Sequence, residues 1–113
     1  MRKIFFSYTL KDGEINKNFL YQIKNWLNKQ NIDSFIDLID NEYDTTQFQV
    51  KLIEELKKCD LLFVIDTIKY DESMWTSIEI EEAKKINKLI IRSHYSIIQD
   101  VIKNNYKFDY FIN

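Results

Sequence analysis

The 113 residues contain a single glycine, no proline, one cysteine (Cys59) and one histidine (His94). The scarcity of glycine excludes the Gly-rich dinucleotide fingerprint, the phosphate-binding P-loop and the Gly-rich kinase loop, each of which needs several glycines for close backbone approach. One cysteine cannot form an internal disulfide, and with one histidine it does not furnish a standard zinc site, so no metal is expected. Sixteen basic against eighteen acidic side chains leave a net charge of −2. Lys57-Lys58 and Lys84-Lys85 are pairs suited to helix C-termini rather than a stripe for phosphates, so nucleic acid is not an expected partner. No apolar run approaches the roughly 20 residues that span a bilayer. The apolar stretch behind Met1-Arg2-Lys3 is too short for a secretory signal, so a cytoplasmic protein with no membrane partner is expected.

Hydrophobic residues are 45% and charged residues 30%, the balance of a globular chain, and the length allows one domain over residues 1–113. Short apolar runs alternate with helical stripes. Residues 3–8 (KIFFSY), 33–37 (DSFID), 61–65 (LLFVI), 88–93 (KLIIRS) and 108–112 (FDYFI) have strand character. Residues 14–30, 47–58, 74–87 and 96–104 carry apolar side chains at helical spacing, as at Ile15, Phe19, Leu20, Ile23, Trp26 and Leu27. Residues 40–46 are polar and predict a loop, and Ser73 is a candidate N-cap.

This alternation predicts an α/β protein with a flavodoxin-like, doubly wound parallel sheet of five strands in the order 2-1-3-4-5. Right-handed crossovers place the first helix on one face and the next three on the other. The final helix of the usual form is absent, which predicts a partly uncovered face and, with it, self-association.

Ligands of open parallel sheets bind beyond the carboxyl ends of the strands. That edge gathers Ser7, Tyr8, Thr9, Lys11 and Asp12, the acidic stretch 37–44, Asp66 and Thr67, and Ser93 with His94. Glu79 falls within a stripe formed by Trp75, Ile78, Glu82, Ala83 and Ile86, which predicts the inward side of its helix. An inward carboxylate costs desolvation unless it is paired or has a task. Equally, Glu79, Glu81 and Glu82 suit the positive end of a helix dipole at the surface, and residue spacing leaves both readings open. Asp66 lies where receiver domains carry a phospho-acceptor, but the first strand brings no acidic metal ligands and the fifth no lysine, so it predicts a loop-ordering residue. Cys59 reads as core and His94 as a loop residue; Phe19, Trp26 and Phe48 fall at helical core spacing, and the alternative for Phe48 is to fold over a ligand with Tyr43 from either side of the acidic loop.

Three segments resemble the Toll/interleukin-1 receptor (TIR) domain in its bacterial form. KIFFSYTLKD (3–12) resembles the first box, SFID (34–37) the end of the second strand, and SMWTSIEIEEA (73–83) the S-x-W-x-x-x-E helix motif. Many bacterial TIR domains cleave NAD+ between nicotinamide and ribose, and some cyclise the ADP-ribose into a signal used in antiphage defence. The resemblance implies an NAD+ glycohydrolase or cyclase in which Glu79 is catalytic and NAD+ is substrate, with no cofactor. It further implies that Trp75 supports the pocket wall, that Ser7, Tyr8 and Lys11 border the nucleotide, and that the domain assembles with itself or with another TIR or effector protein. The alternatives are a non-catalytic TIR adaptor and a nucleoside deoxyribosyltransferase-like enzyme, which shares the fold and a helix glutamate.

Overall fold

A computed structural model of the chain describes residues 2–40 and 48–112, with Phe48 and Gln49 traced as backbone only. Of the loop predicted over 40–46, Asp40 belongs instead to a short helix, Asp37–Asp40, and the rest, with Tyr43 and the Phe48 side chain, lies outside the described residues. The order is β1 (Lys3–Ser7), α1 (Lys17–Asn28), β2 (Asp33–Ile36), α2 (Asp37–Asp40), α3 (Phe48–Lys58), β3 (Leu61–Asp66), α4 (Met74–Lys85), β4 (Leu89–His94) and α5 (Tyr95–Lys103). Short 3-10 turns occupy Tyr70–Glu72 and Phe108–Phe111.

The four strands form one parallel sheet in the order β2-β1-β3-β4. β1 and β3 lie at its centre and are buried on both faces, which is why they read as continuous apolar runs rather than alternating ones. Ile4, Phe6, Phe63 and Ile65 point to one face, beneath α1, and Phe5, Leu62 and Val64 point to the other, beneath α3 and α4.

Two expectations are corrected here. The fifth strand does not form, because residues 108–111 make a 3-10 turn that brings Phe108 and Phe111, three apart, to the same side. Phe108 lies 6.1 Å from Trp26 and 5.8 Å from Phe63 between ring centroids, and Phe111 stands edge-on to Phe63 at 5.0 Å. A strand would have alternated these rings with Asp109 and Tyr110 and exposed half of that apolar area. With no fifth strand to reach, β4 runs directly into α5, and α5 joins α1 instead of α3 and α4. Ile98, Val101 and Phe108 are buried there, so the face expected to lie partly open is covered by the chain itself. Trp26 Nε1 donates to the Tyr106 carbonyl at 2.7 Å and the Phe108 amide donates to Gln30 Oε1 at 2.8 Å, which fastens this cover to α1.

Helix ends show how the chain manages with one glycine. Asn31, Asn87 and Asn105 take φ of 59°, 56° and 57° just beyond α1, α4 and α5. In each case the next amide reaches back five residues, as Lys88 N to the Ala83 carbonyl at 2.8 Å, and the asparagine amide reaches back three. These are helix-terminating loops that usually use glycine, and asparagine is the residue that best tolerates the left-handed conformation after it. At the other end of α1, Asn16 Oδ1 accepts from the Phe19 amide at 2.9 Å as an N-cap. Among the described residues no helix is long and apolar enough to cross a membrane, and no group of three or more His, Cys, Asp and Glu side chains is placed to hold a metal ion.

Candidate active site

The carboxyl ends of β1 and β2, the start of α2 and the first two turns of α4 enclose a cleft of about 310 Å³. Phe6, Tyr8 and Thr9 come from β1 and the loop after it, Asp37 and Leu38 from α2, and Ser73, Trp75 and Glu79 from α4 and its approach.

Glu79 is only 7% exposed although it is a carboxylic acid. It reaches that depth because Thr76 and Ala83, small residues on the same face of α4, let the helix approach the sheet closely. The inward face is thus Thr76, Glu79, Ile80 and Ala83; Glu79 and Ala83 of the predicted stripe lie on it, whereas Trp75 is 43% and Ile86 36% exposed. Ser7, the last residue of β1, is fully buried and its Oγ donates to Glu79 Oε1 at 2.7 Å. A serine hydroxyl has one hydrogen, so the very short contact between Ser7 Oγ and the Tyr70 hydroxyl runs with Tyr70 as donor. Tyr70 is held by the 3-10 turn before α4, whose carbonyl accepts from Thr76 Oγ1 at 3.0 Å.

Desolvation by burial pushes the Glu79 carboxyl up from 4.5 to about 8; the Ser7 hydrogen bond opposes this and the charge of Asp37 adds to it. Burial also raises the hydroxyl of Tyr8, which accepts from the Leu38 amide at 2.9 Å and so ties the first loop to α2. The acid therefore lines the cleft with its Oε1 held by Ser7. Displaced titrations of buried groups cluster at functional sites and also occur in structural networks.

The residues nominated from sequence are distributed as follows. Glu79, Tyr8 and Trp75 line the cleft together. Ser7 lies behind Glu79, in contact with it rather than with the open volume. Lys11 is exposed and its Nζ donates to the Glu72 carbonyl at 2.9 Å, joining the first loop to the 3-10 turn outside the cleft lining. Asp66 pairs with Arg92 at 2.8 Å, His94 accepts from the Ser96 amide as the N-cap of α5, and Cys59 is buried with its thiol pushed up to about 12 by desolvation. Ser73 occupies the N-cap position of α4 without a capping side-chain bond. Tyr70 was not singled out by its sequence context; its one signal is that it is the lone aromatic in the polar stretch between Thr67 and Ser73. Asp37 was visible as the end of SFID but carried no role of its own.

No protein-family model matches the chain, and no curated protein matches it in sequence. Solved structures share its fold. A 2-deoxyribosyltransferase from Leishmania mexicana matches with a TM-score of 0.66 and 13% identity over 83% of this chain and 65% of its own. The TIR domain of the activated Roq1 resistosome, which directly recognises the pathogen effector XopQ, matches with a TM-score of 0.64 and 18% identity over 81% of this chain and 56% of its own. The CMP N-glycosidase of Clostridium botulinum matches with a TM-score of 0.60 and 18% identity over 93% of this chain and 83% of its own. The chain thus spans just under two thirds of the deoxyribosyltransferase. At such identities the likeness is one of fold: a TIR-like α/β sheet that also serves as the framework of enzymes named for transfer and cleavage of nucleoside sugars.

Proposed function

We propose that the chain cleaves the bond between nicotinamide and ribose in NAD+, with Glu79 as the catalytic residue. The observation that carries this reading is the carboxyl of Glu79, buried in the lining of a cleft large enough for a nucleoside and held through Oε1 by Ser7. The likeness in fold to a deoxyribosyltransferase, an N-glycosidase and a TIR domain supports it at the level of the framework.

The chemistry asks little of the protein. Glycosidases usually need one carboxyl to protonate the leaving group and another to attack or to activate water. In NAD+ the C1′–N bond breaks with its electron pair moving to the pyridinium nitrogen, so nicotinamide leaves neutral and needs no proton. Positive charge passes to C1′ and the ring oxygen, where the Glu79 carboxylate stabilises it. Water then adds at C1′ and releases one proton, giving ADP-ribose; addition of a hydroxyl of the same molecule gives the cyclic product. A pyridinium ring entering the cleft favours the ionised form of Glu79, which burial alone disfavours. Trp75 and Tyr8 supply aromatic walls for the ring. In line with the TIR resemblance, the activity belongs to antiphage defence or signalling and to a self-associated form or a complex with another TIR or effector protein.

The test is nicotinamide release from NAD+, followed by chromatography at high protein concentration, with Glu79→Ala as the control. Loss of release in a folded Glu79→Ala variant is the expected result. A second reading, transfer of deoxyribose between bases, draws on the fold of the Leishmania enzyme. Base exchange on free deoxynucleosides with NAD+ untouched selects it. No turnover of either, with partner binding unchanged in Glu79→Ala, selects a non-catalytic adaptor.

A further inference from the structure

We infer that Tyr70 is a positioning residue for Glu79 and acts through Ser7: its hydroxyl commits the single Ser7 hydrogen to Glu79 Oε1 and so fixes how the carboxylate is presented to the cleft. The role rests on the reading of Glu79 as the catalytic residue and adds to the site a side chain that does not meet the substrate.

Tyr70 is fully buried and does not line the cleft. Its backbone is fixed on both sides. The Tyr70 amide donates to the Thr67 carbonyl at 3.1 Å, and the Tyr70 carbonyl accepts from the Ser73 amide at 3.3 Å and from Thr76 Oγ1 at 3.0 Å. Over the ring lies the Arg92 guanidinium, 4.9 Å from its centre and paired with Asp66 at 2.8 Å and Asp71 at 3.2 Å. A side chain held at both backbone and ring delivers its hydroxyl to one place, Ser7 Oγ at the end of β1.

Two hydrogens serve three side chains here. Ser7 and Tyr70 each carry one, and an ionised Glu79 carries none. Were Ser7 to donate to Tyr70 instead, Glu79 Oε1 would lose its donor and the Tyr70 hydrogen its acceptor, both inside the fold, and an unmet buried group is costly. With Tyr70 as donor both hydrogens are placed, and the serine hydrogen stays turned to Glu79. Donation by Tyr70 also polarises the Ser7 hydroxyl and strengthens its bond to the carboxylate, and the cation over the ring makes the phenol a better donor. The titratable groups that bear on this carboxyl are Asp37, whose charge opposes ionisation, and the hydroxyls of Tyr8 and Tyr70. Tyr70→Phe leaves Asp37 and Tyr8 as they are, keeps a ring beneath Arg92 and removes the hydroxyl alone.

The test follows the Glu79 carboxyl itself, by carbon NMR of protein labelled at the glutamate carboxyl carbon, with Glu79→Gln assigning the signal. In Tyr70→Phe, checked for fold by circular dichroism, the Glu79 midpoint is expected to rise by about half a pH unit; nicotinamide release from NAD+ at pH 7 falls about threefold and returns as the pH is raised. In a Ser7→Ala background, where the link is already cut, Tyr70→Phe is expected to move the midpoint no further. A midpoint unchanged in Tyr70→Phe, or moved as far without Ser7 as with it, overturns the inference. The wild-type chain gives a second readout: the ring carbon that bears the Tyr70 hydroxyl shifts along the Glu79 titration. A Tyr70 signal indifferent to the ionisation of Glu79 overturns the inference even if Tyr70→Phe does not fold. A shifted midpoint with NAD+ untouched leaves Tyr70 holding the carboxyl and removes the glycohydrolase. Release from NAD+ that needs Glu79, with a midpoint indifferent to Tyr70→Phe, does the reverse.

Discussion

Ser7 Oγ donates a hydrogen bond of 2.7 Å to Glu79 Oε1 and so joins the end of the central strand β1 to the middle of α4. Because the hydrogen of Ser7 is engaged there, Tyr70 donates into Ser7, and the buried chain Tyr70 to Ser7 to Glu79 is polarised toward the carboxylate. The Arg92 guanidinium lies 4.9 Å from the centre of the Tyr70 ring and is itself paired with Asp66 and Asp71, which steadies the outer end.

Ser7→Ala removes the bond that favours the ionised form of Glu79 and leaves the Tyr70 hydroxyl without its acceptor. The Glu79 titration then moves further up, since desolvation is no longer opposed. Nicotinamide release from NAD+ at pH 7 is expected to fall by about one to two orders of magnitude, and part of it returns as the pH is raised. The variant folds but is less stable by about 1–3 kcal/mol, the usual cost of leaving a buried polar group unsatisfied. Stability comes from urea denaturation and activity from chromatography. A variant as active as the wild type at pH 7 would separate Ser7 from the chemistry.

Glu79→Gln keeps the shape of the side chain and removes its charge. Nicotinamide release is expected to fall by at least about 10²- to 10³-fold. Stability carries a second signature. The folded chain holds the Glu79 proton up to about pH 8, whereas an unfolded glutamate loses it near 4.5. Between those values the folded state binds more protons, so the contribution of this group to stability falls as pH rises through the window and levels off above it. Thermal melts of wild type and Glu79→Gln should therefore lie close together at pH 5 and separate at pH 9, with the glutamine variant the more stable of the two.

The four strands that form and the helices α1, α3, α4 and α5 were legible, α2 not, because apolar period and strand length speak directly about elements such as β1, β3 and α1. Glu79 was legible only as an acid one turn after Trp75; spacing left its inward and surface readings open, and its burial in the fold decides for the inward one. The fifth strand was not, because Phe108, Tyr110, Phe111 and Ile112 satisfy both an extended run and a 3-10 turn, and only the position of Trp26 and Phe63 in space decides between them. The side taken by α5 depended on that same choice. The rotation of α4 was hidden because Thr76 faces inward for its smallness, which a pattern of large apolar residues does not weigh. Tyr70 acquires its place only through Ser7 and Glu79, 63 residues before it in one case and on a different element in the other.

Phe108 tests the corrected topology. Its ring is buried against Trp26, Phe63 and Phe111, where it closes the α1 face. Phe108→Ala is expected to cost about 3–5 kcal/mol and to shift the fluorescence of Trp26 to the red as water reaches the indole. Asp109→Ala, at the exposed neighbouring position, is expected to change stability by less than about 0.5 kcal/mol. A fifth strand would alternate these two side chains between the sheet faces; comparable losses at both positions would speak for that arrangement.

The pH dependence of NAD+ cleavage distinguishes the two tasks open to a carboxyl such as Glu79. With a cationic base the leaving group needs no proton, and only the ionised carboxylate stabilises the charge that develops at C1′. The value of kcat/KM for NAD+ should then rise with pH toward a plateau, with its midpoint near 8, the position set by burial in the free protein. Asp37 contributes to that position by repelling the carboxylate, so Asp37→Asn moves the midpoint to lower pH, while Ser7→Ala moves it higher. A carboxyl that instead protonated a neutral base would give the opposite limb, with cleavage falling as pH rises through the same midpoint. Initial rates at subsaturating NAD+ between pH 5.5 and 9.5 therefore read out which form of Glu79 works, and a falling limb would reassign the site from pyridinium nucleosides to neutral ones.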